Sequence, residues 1–269
     1  MQDKRRRCTL LGLVILMWVL SSALAFAAEE QAEKPLFMVI AEEDIIPEKI
    51  ETYMQARIAQ AKLHAEHKFE FPSLTFIQGF HVTTVWLFDA FAQLDGAPQM
   101  FEAWNEKTGG KSKQLEKQAM SCVDSMSTWV NVGRPDLAYW PKAPAFMPDF
   151  SKPFYLSVTI YHIKPDKYEE AEAIAKKFKA LNEKKQSPMA YSMEESIFGA
   201  DSSFFASVSF AQDKAAFTAL EKKMEANPDP EIEKLMAESI HVLKKMEIKE
   251  GTFVPEASYV PAGTFGGEN

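Results

Sequence analysis

The chain has 269 residues, of which 46% are hydrophobic and 25% charged, and its formal net charge is -8 at pH 7. This length is enough to bury a sizeable core, as one large domain or two small ones. The acidic balance is unfavourable for binding nucleic acid or an anionic membrane surface, so neither is an expected partner.

Residues 1–27 have the layout of a secretory signal peptide. A basic stretch at 4–7 precedes a largely apolar run at 8–20, and the sequence AFA at 25–27 fits an A-x-A cleavage site. The apolar run is short for a membrane span, and an uncleaved membrane anchor is the alternative. We therefore expect cleavage after residue 27 and a mature protein that is periplasmic or secreted, without attachment to a membrane.

Hydrophobic periodicity predicts a series of short elements after the signal. They are a strand at 36–42, a helix at 47–66, strands at 70–78 and 82–90, helices at 97–107 and 112–127, and a strand at 128–133. The same order follows further along the chain. There the pattern predicts a strand at 154–163, a helix at 164–185, strands at 190–198 and 203–210, helices at 213–226 and 231–246, and a strand at 247–254.

The strand at 154–163 shows how its sheet should be covered, because alternate side chains of a strand point to opposite faces. We expect Leu156, Val158 and Ile160 to lie under the helices. The other face then carries a mixed row, Tyr155, Ser157, Thr159 and Tyr161. A second sheet could cover that mixed row.

The repeated element order reflects an internal duplication. The segments RPDLAYWP at 134–141 and VPEASYVP at 254–261 share Pro, Tyr and Pro at the same spacing. Pro35 also aligns with Pro153, and across the whole unit the offset drifts only from 118 to 120 residues. Chance matches would not keep so constant an offset.

The duplication defines the expected domain organisation. We expect one repeat at 35–141, a second at 153–261 and a flexible tail at 262–269. Cys122 is the only cysteine after the signal, so no internal disulfide is available, and burial must hold the protein together. The apolar surroundings of Cys122 favour a buried small side chain over a nucleophile.

Each repeat has the order β-α-β-β-α-(α)-β, which is ferredoxin-like. The chain resembles the dimeric α/β-barrel superfamily, which includes antibiotic-biosynthesis-type monooxygenases, NIPSNAP-like proteins and haem-binding chlorite-dismutase-like proteins. The resemblance implies an α+β fold in which two tandem ferredoxin-like units pair as an intramolecular dimeric α/β barrel. The repeats then take the place of a homodimer, so we expect a monomer.

The function indicated by the sequence is binding of a small apolar or aromatic ligand without catalysis. The sequence contains no G-x-S-x-G, phosphate-binding loop, H-E-x-x-H or Cys-x-x-Cys motif. The alternatives are a cofactor-independent monooxygenase or haem-binding enzyme of the same superfamily, and a protein-interaction module. No cofactor is expected from the motifs, and haem is the one candidate that the resemblance adds.

The candidate ligand-binding residues are histidine and aromatic residues on predicted strands, and no catalytic residue is assigned. They are His81, Trp86, Tyr155 and Tyr161. Aromatic side chains that line a lumen would favour a flat apolar ligand. The resemblance adds that some haem-degrading oxygenases of the superfamily use Asn, Trp and His in the pocket.

Two further patterns have structural interpretations. His64 and His67 have a spacing that could serve a metal, but a solvated helix end is the simpler interpretation, and no metal site is expected. The Pro-bounded segments 134–141 and 254–261, which we call the straps, should each close their own repeat, with Tyr139 and Tyr259 as anchors.

Overall fold

A computed structural model of the chain describes residues 36–226, 229–262 and 264. The expected signal peptide at 1–27 and most of the expected tail at 262–269 lie outside the described residues. None of the helices in the described part of the chain has both the length and the apolar character that crossing a membrane requires.

The order of strands and longer helices is the same in both repeats, and the first repeat adds one short helix, Ala92–Asp95. The first contains β1 (Phe37–Ile45), α1 (Ile50–His67), β2 (Ser73–Gln78), β3 (His81–Phe88), α2 (Ala92–Asp95), α3 (Ala97–Lys107), α4 (Lys111–Met120) and β4 (Val123–Gly133). The second contains β5 (Tyr155–Ile163), α5 (Tyr168–Lys185), β6 (Tyr191–Phe198), β7 (Phe204–Ala211), α6 (Lys214–Glu225), α7 (Pro230–Ile240) and β8 (Leu243–Phe253).

The eight strands form one closed barrel in the order β1-β3-β2-β8-β5-β7-β6-β4. Each repeat contributes a four-stranded antiparallel sheet with β1 or β5 at an inner position. The sheets meet at two junctions, where β4 pairs with β6 and β2 pairs with β8. The predicted fold class, two ferredoxin-like units pairing as an intramolecular barrel, is confirmed.

The duplication extends to the ends of the elements. β5 and α5 begin and end 118 residues after β1 and α1, and both helices have 18 residues. Each helix stops at a residue with a left-handed backbone, Lys68 or Gln186, and both have φ of 52°. This conformation ends a helix by turning the chain out of its axis.

The predicted helices at 112–127 and 231–246 were too long. α4 ends at Met120 and α7 at Ile240, and β4 and β8 begin at Val123 and Leu243. The first residues of both strands have apolar spacing that a helix could also accommodate. Pairing with β1 and β5 decides the outcome, because it satisfies the backbone groups along the whole length of both strands.

The expected orientation of β5 was wrong. Val158 and Ile160 face the barrel lumen, where Ile160 packs with Phe204 and with Trp129 of the first repeat. Tyr155 and Tyr161 instead face the helices. The helix side suits these tyrosines because it gives the ring apolar contact and leaves the hydroxyl a polar neighbour, such as Ser207 beside Tyr161.

Phenylalanine rings fill the end of the lumen at which β1 and β5 begin. Phe154 stacks on Phe253 with ring centroids 4.8 Å apart. The segment between the repeats, residues 142–153, adds Phe146 and Phe150, which pack against the same cluster. The inter-repeat linker therefore closes this end of the barrel as well as joining the two repeats.

The straps exchange between repeats, which corrects the expectation that each closes its own. Tyr139 of the first repeat pairs with Tyr191 at the start of β6, and Tyr259 of the second repeat pairs with Ser73 at the start of β2. Their hydroxyl groups donate to equivalent carbonyls, that of Tyr139 to Ser187 O at 2.9 Å and that of Tyr259 to Phe69 O at 3.1 Å. The two tyrosines are anchors, as predicted, but each holds the other repeat.

Substitution of a glycine at one barrel junction tests how closely the two sheets meet. Gly199, in the β6–β7 turn, has φ of +86°, and an added Cβ would lie 2.9 Å from Thr128 O and from Trp129 Cα of the first repeat. Gly79, in the β2–β3 turn, has φ of +61° and open space around the same position. We expect Gly79→Ala to cost about 1 kcal/mol for its backbone conformation alone, and Gly199→Ala to cost about 3 kcal/mol because backbone must also move.

Urea denaturation of both variants measures this difference. Equal losses of unfolding free energy would contradict the close approach of the β6–β7 turn to β4.

Candidate functional site

A small cavity lies in the first repeat, between α1 and the outer face of β2 and β3. Its volume is about 20 Å³, which holds about one water molecule. The side chains that line it include Arg57, His64, Thr75, Thr84, Trp86 and Ala257. Ala257 belongs to the strap of the second repeat, so the exchange of straps makes both repeats contribute to this cavity.

A buried charged network flanks the cavity. Arg57 Nη2 lies 2.8 Å from Glu43 Oε1, and Arg57 Nε donates to the Tyr53 hydroxyl at 2.9 Å. Tyr53 in turn donates to Glu43, which closes a triangle of contacts. Burial raises the pKa of Tyr53, so its hydroxyl stays protonated and remains a donor. Arg57 Nη1 also reaches Glu116 of α4 at 2.7 Å.

Two polar atoms at the cavity have no hydrogen-bond partner among the described residues. They are His64 Nδ1 and Thr84 Oγ1, on residues that are each 4% exposed. Buried polar atoms in proteins are nearly always paired, so each of these needs a partner. Burial, with the positive charge of Arg57, lowers the pKa of His64 to about 4. The imidazole is therefore neutral near pH 7.

The second repeat lacks this network at the equivalent positions, although Arg134, Tyr168 and Glu195 form a similar triangle at a different and more exposed place. At the same offset of 118 residues, apolar or neutral side chains replace the polar ones. Tyr161, Ala171, Ala175 and Asn182 stand in the places of Glu43, Tyr53, Arg57 and His64. There the space between helix and sheet is an apolar core. The duplicated fold does not require the network, because one repeat folds without it.

The two straps place side chains of different size in the two helix–sheet spaces. Leu137 of the first strap is 1% exposed and lies in the core of the second repeat. The equivalent residue of the second strap is Ala257, which lines the cavity of the first repeat. Alanine lacks three of the carbon atoms of leucine, so the cavity exists where the smaller residue stands.

The structure does not bring the four candidate residues together. Trp86 lines the cavity, while His81 faces the lumen from the start of β3. Tyr155 packs on Phe217 of α6, and Tyr161 lies in the apolar core under α5. Only Trp86 is part of the candidate site, so the other three are not brought to a common pocket.

His81 belongs to a separate charged cluster at the lumen end where β1 finishes. Its Nδ1 lies 2.9 Å from Asp44 Oδ1, and its Nε2 lies 3.8 Å from Glu42 Oε2. Glu42 also accepts two bonds from Lys249 Nζ, at 2.6 Å each, so this cluster joins the repeats. The strand register pairs Asp44 with His81 and the equivalent His162 with Phe204. Phe204 therefore occupies the place of His81 in the second repeat.

The interpretation of His64 and His67 as a solvated helix end was wrong for His64. Its ring is buried and stacks on Phe69 with centroids 4.3 Å apart. Among the described residues no group of His, Cys, Asp or Glu is arranged to hold a metal ion. Cys122 is buried, as predicted.

Sequence reasoning missed Glu43, Arg57 and Thr84. A signal was present for Arg57, since it lies four residues after Tyr53 and four before Ala61 and so shares one face of the helix with them. An arginine in such a row must be buried with a partner or leave the core. Thr84 carried no signal, because threonine is common in strands.

Comparison with known proteins identifies the fold. No family model and no curated protein sequence matches the chain. An anthrone oxidase-like protein matches with a TM-score of 0.53 and 14% identity, over 82% of this chain and 91% of that one. A protein of Lactobacillus acidophilus NCFM described as a monooxygenase matches with a TM-score of 0.52 and 11% identity, over 84% of this chain and 96% of that one. A variant of chlorite dismutase from Candidatus Nitrospira defluvii matches with a TM-score of 0.51 and 10% identity, over 84% of this chain and 93% of that one.

The protein has the dimeric α/β-barrel fold. At these identities the comparisons establish the fold alone, and the NIPSNAP-like subtype stays a prediction. Haem, which the earlier resemblance added as a cofactor, does not fit the cavity under α1. The volume is about 20 Å³, and the buried pair of Arg57 and Glu43 lies beside it.

Removal of Arg57 tests the buried network. Arg57→Met leaves the Glu43 carboxylate buried without its cation, and breaking a buried ion pair in this way costs about 3–5 kcal/mol. As a control, Lys167→Met breaks the exposed pair of Lys167 with Glu170, which contributes about 0–1 kcal/mol. Urea denaturation measures both, and a similar small loss in the two variants would show that the network contributes little to stability.

The charged cluster at the lumen end predicts a pH dependence. Hydrogen bonding to Glu42 and Asp44 raises the pKa of His81, against the opposing effect of burial. Protonated His81 therefore stabilises the folded protein fully below the pKa of histidine in the unfolded chain, about 6.5. This stabilisation is lost as pH rises through the higher pKa of His81 in the folded protein. His81→Gln should abolish this loss, whereas His241→Gln, at an exposed position, should retain it. Unfolding free energies measured from about pH 5 to 9 decide this, and parallel curves for wild type and His81→Gln would contradict it.

Proposed function

We propose that this protein is exported and binds a small apolar or aromatic molecule in the cavity under α1, without catalysing a reaction. The ligand carries at least one hydrogen-bonding group. One observation supports the proposal most strongly: His64 Nδ1 and Thr84 Oγ1, two buried polar atoms without a hydrogen-bond partner among the described residues, belong to residues that line one cavity under α1. A ligand group that pairs with Thr84 Oγ1 and His64 Nδ1 would remove the cost of leaving them unpaired.

The cavity must widen to admit a ring. Its present volume suits about one water molecule. Gln60 lines the cavity, is half-buried, and accepts a hydrogen bond from Arg57 at 3.0 Å. We infer that outward movement of the Gln60 side chain opens the space between Trp86 and Ala257. Trp86 then offers an apolar face to the ligand.

The side chains at the cavity support binding better than catalysis. A general base works best with a pKa near the working pH, whereas that of His64 is about 4. The thiol of Cys122 is buried and bonds to Gln118 O at 3.4 Å. Of the hydroxyl groups at the cavity, that of Thr75 donates to Ala257 O and that of Thr84 makes no hydrogen bond to His64, so neither is activated by the imidazole.

The alternative is cofactor-independent oxygenation of an aromatic substrate at the same cavity. The similarity to an anthrone oxidase-like protein and to a protein described as a monooxygenase supports it. Oxygen consumption in the presence of a bound ligand separates the two functions. Stoichiometric binding without turnover supports the binding protein, and substrate-dependent oxygen uptake that Thr84→Val abolishes supports the alternative.

Two neighbouring threonines supply a matched test. Thr75 and Thr84 pair across β2 and β3, and both line the cavity. The Thr75 hydroxyl donates to Ala257 O at 2.8 Å, whereas that of Thr84 is unpartnered. Without ligand, we expect Thr84→Val to stabilise the protein by about 1 kcal/mol and Thr75→Val to destabilise it by about 1 kcal/mol. Thermal and urea denaturation measure both, and destabilisation by Thr84→Val would show that its hydroxyl has a partner.

Ligand binding is measured by thermal shift with probes of increasing size: imidazole, phenol, 1,4-benzoquinone, menadione and haem. Binding raises the melting temperature because the ligand binds only the folded state. We expect shifts from the single-ring probes, a smaller or no shift from the larger ones, and loss of the shifts in Thr84→Val.

Ala257→Leu is the second variant for this test. It introduces the residue found at the equivalent place in the other strap, and should fill the cavity and remove the shifts while keeping the fold. Shifts of equal size in wild type, Thr84→Val and Ala257→Leu would place binding elsewhere.

A further inference from the structure

A second concave surface lies in the second repeat, away from the cavity under α1. It is a groove of about 340 Å³ between the inter-repeat linker, the end of β7 and α6. Its size falls in the range of small-molecule sites. The proposed function does not use this groove, and nothing in the duplication requires it, because the linker occurs once.

Aromatic rings form one wall of the groove. Phe146 of the linker and Phe210 of β7 line it. Trp140 stacks on Phe210 with ring centroids 6.1 Å apart and an interplanar angle of 26°, and it is 45% exposed. The wall is held in place from behind, since Phe146 packs on Phe154 and the Ala145 amide donates to Pro188 O at 2.9 Å.

Small side chains form the opposite wall. Ala216 and Ala219 of α6 line the groove together with Ala211 at the end of β7. The strand register places Ala211 where the first repeat has Phe88, which is buried. A methyl group in place of a ring leaves the width that a flat molecule needs.

Charge at the groove defines the ligand further. Among the described residues that line it, Lys223 is the only charged one, and Gln212 adds an amide. We propose that the groove binds a planar aromatic molecule of about two fused rings that carries an acidic group. Its ring lies against Phe210 and Phe146, and its anion lies toward Lys223.

The first test fills the groove. Binding of 1-anilinonaphthalene-8-sulfonate and of 2-naphthoate to the full chain is followed by fluorescence titration. We expect Ala219→Phe to weaken both by about tenfold, because its ring occupies the groove. Ala215→Phe is the control, since Ala215 is an exposed residue of the same helix that does not line the groove. Circular dichroism and melting temperature establish that both variants fold.

The second test separates charge from shape. Lys223→Gln should weaken 2-naphthoate about threefold or more and leave neutral 2-naphthol unchanged. Lys222→Gln, beside it on the exposed side of α6, should change neither.

Equal affinities in wild type, Ala219→Phe and Ala215→Phe would overturn the site. Equal effects of Lys223→Gln and Lys222→Gln would overturn the preference for an anion. The variants at Thr84 and Ala257 leave this groove intact, so failure here and failure of the proposed function are distinguishable.

Discussion

The structure depends on two sheets that bury each other's inner faces. Each ferredoxin-like repeat has helices on one face only, so its other face needs a cover, and the second repeat supplies it. The contacts between the two sheets differ in chemistry at equivalent positions. Glu42 and Lys249 form an ion pair across the lumen on one side, and the equivalent residues Ile160 and Trp129 form an apolar contact on the other. A homodimer would carry the same contact twice, whereas a duplicated chain can change each separately.

Because equivalent positions of a duplicated chain can differ, the candidate site can occur in one repeat alone. The straps cross between repeats, so each helix–sheet space is completed by the other half of the chain. Leu137 completes one space as an apolar core, and Ala257 completes the other and leaves a cavity. The network of Glu43, Tyr53 and Arg57 is present only beside the cavity. One repeat therefore shows what the fold requires, and the difference between repeats shows what it does not require.

The sequence predicted the architecture well because periodicity and repetition are properties of the whole chain. The duplication, the element order and the pairing of two sheets followed from matches such as Tyr139 with Tyr259. The predicted side-chain orientation on β5 was wrong. A strand that is covered on both faces has no polar, solvent-exposed row of side chains from which the sequence could identify its two faces. The strap exchange was also missed, since a segment carries the same residues whichever repeat it closes. The candidate site depends on contacts between Arg57, Glu43 and Thr84, which tertiary packing alone brings together.

Hydrogen exchange measured by mass spectrometry at increasing urea tests most directly whether the repeats form one barrel. Amides of β1 and β5 report on the two sheets, and those of β4 and β6 report on a junction. If each sheet covers the other, all four strands should exchange through the same global opening, with one common free energy. Separate opening of β5 and β6 at a lower free energy, while β1 and β4 stay protected, would contradict the account, because it would show that the first sheet is stable without its cover.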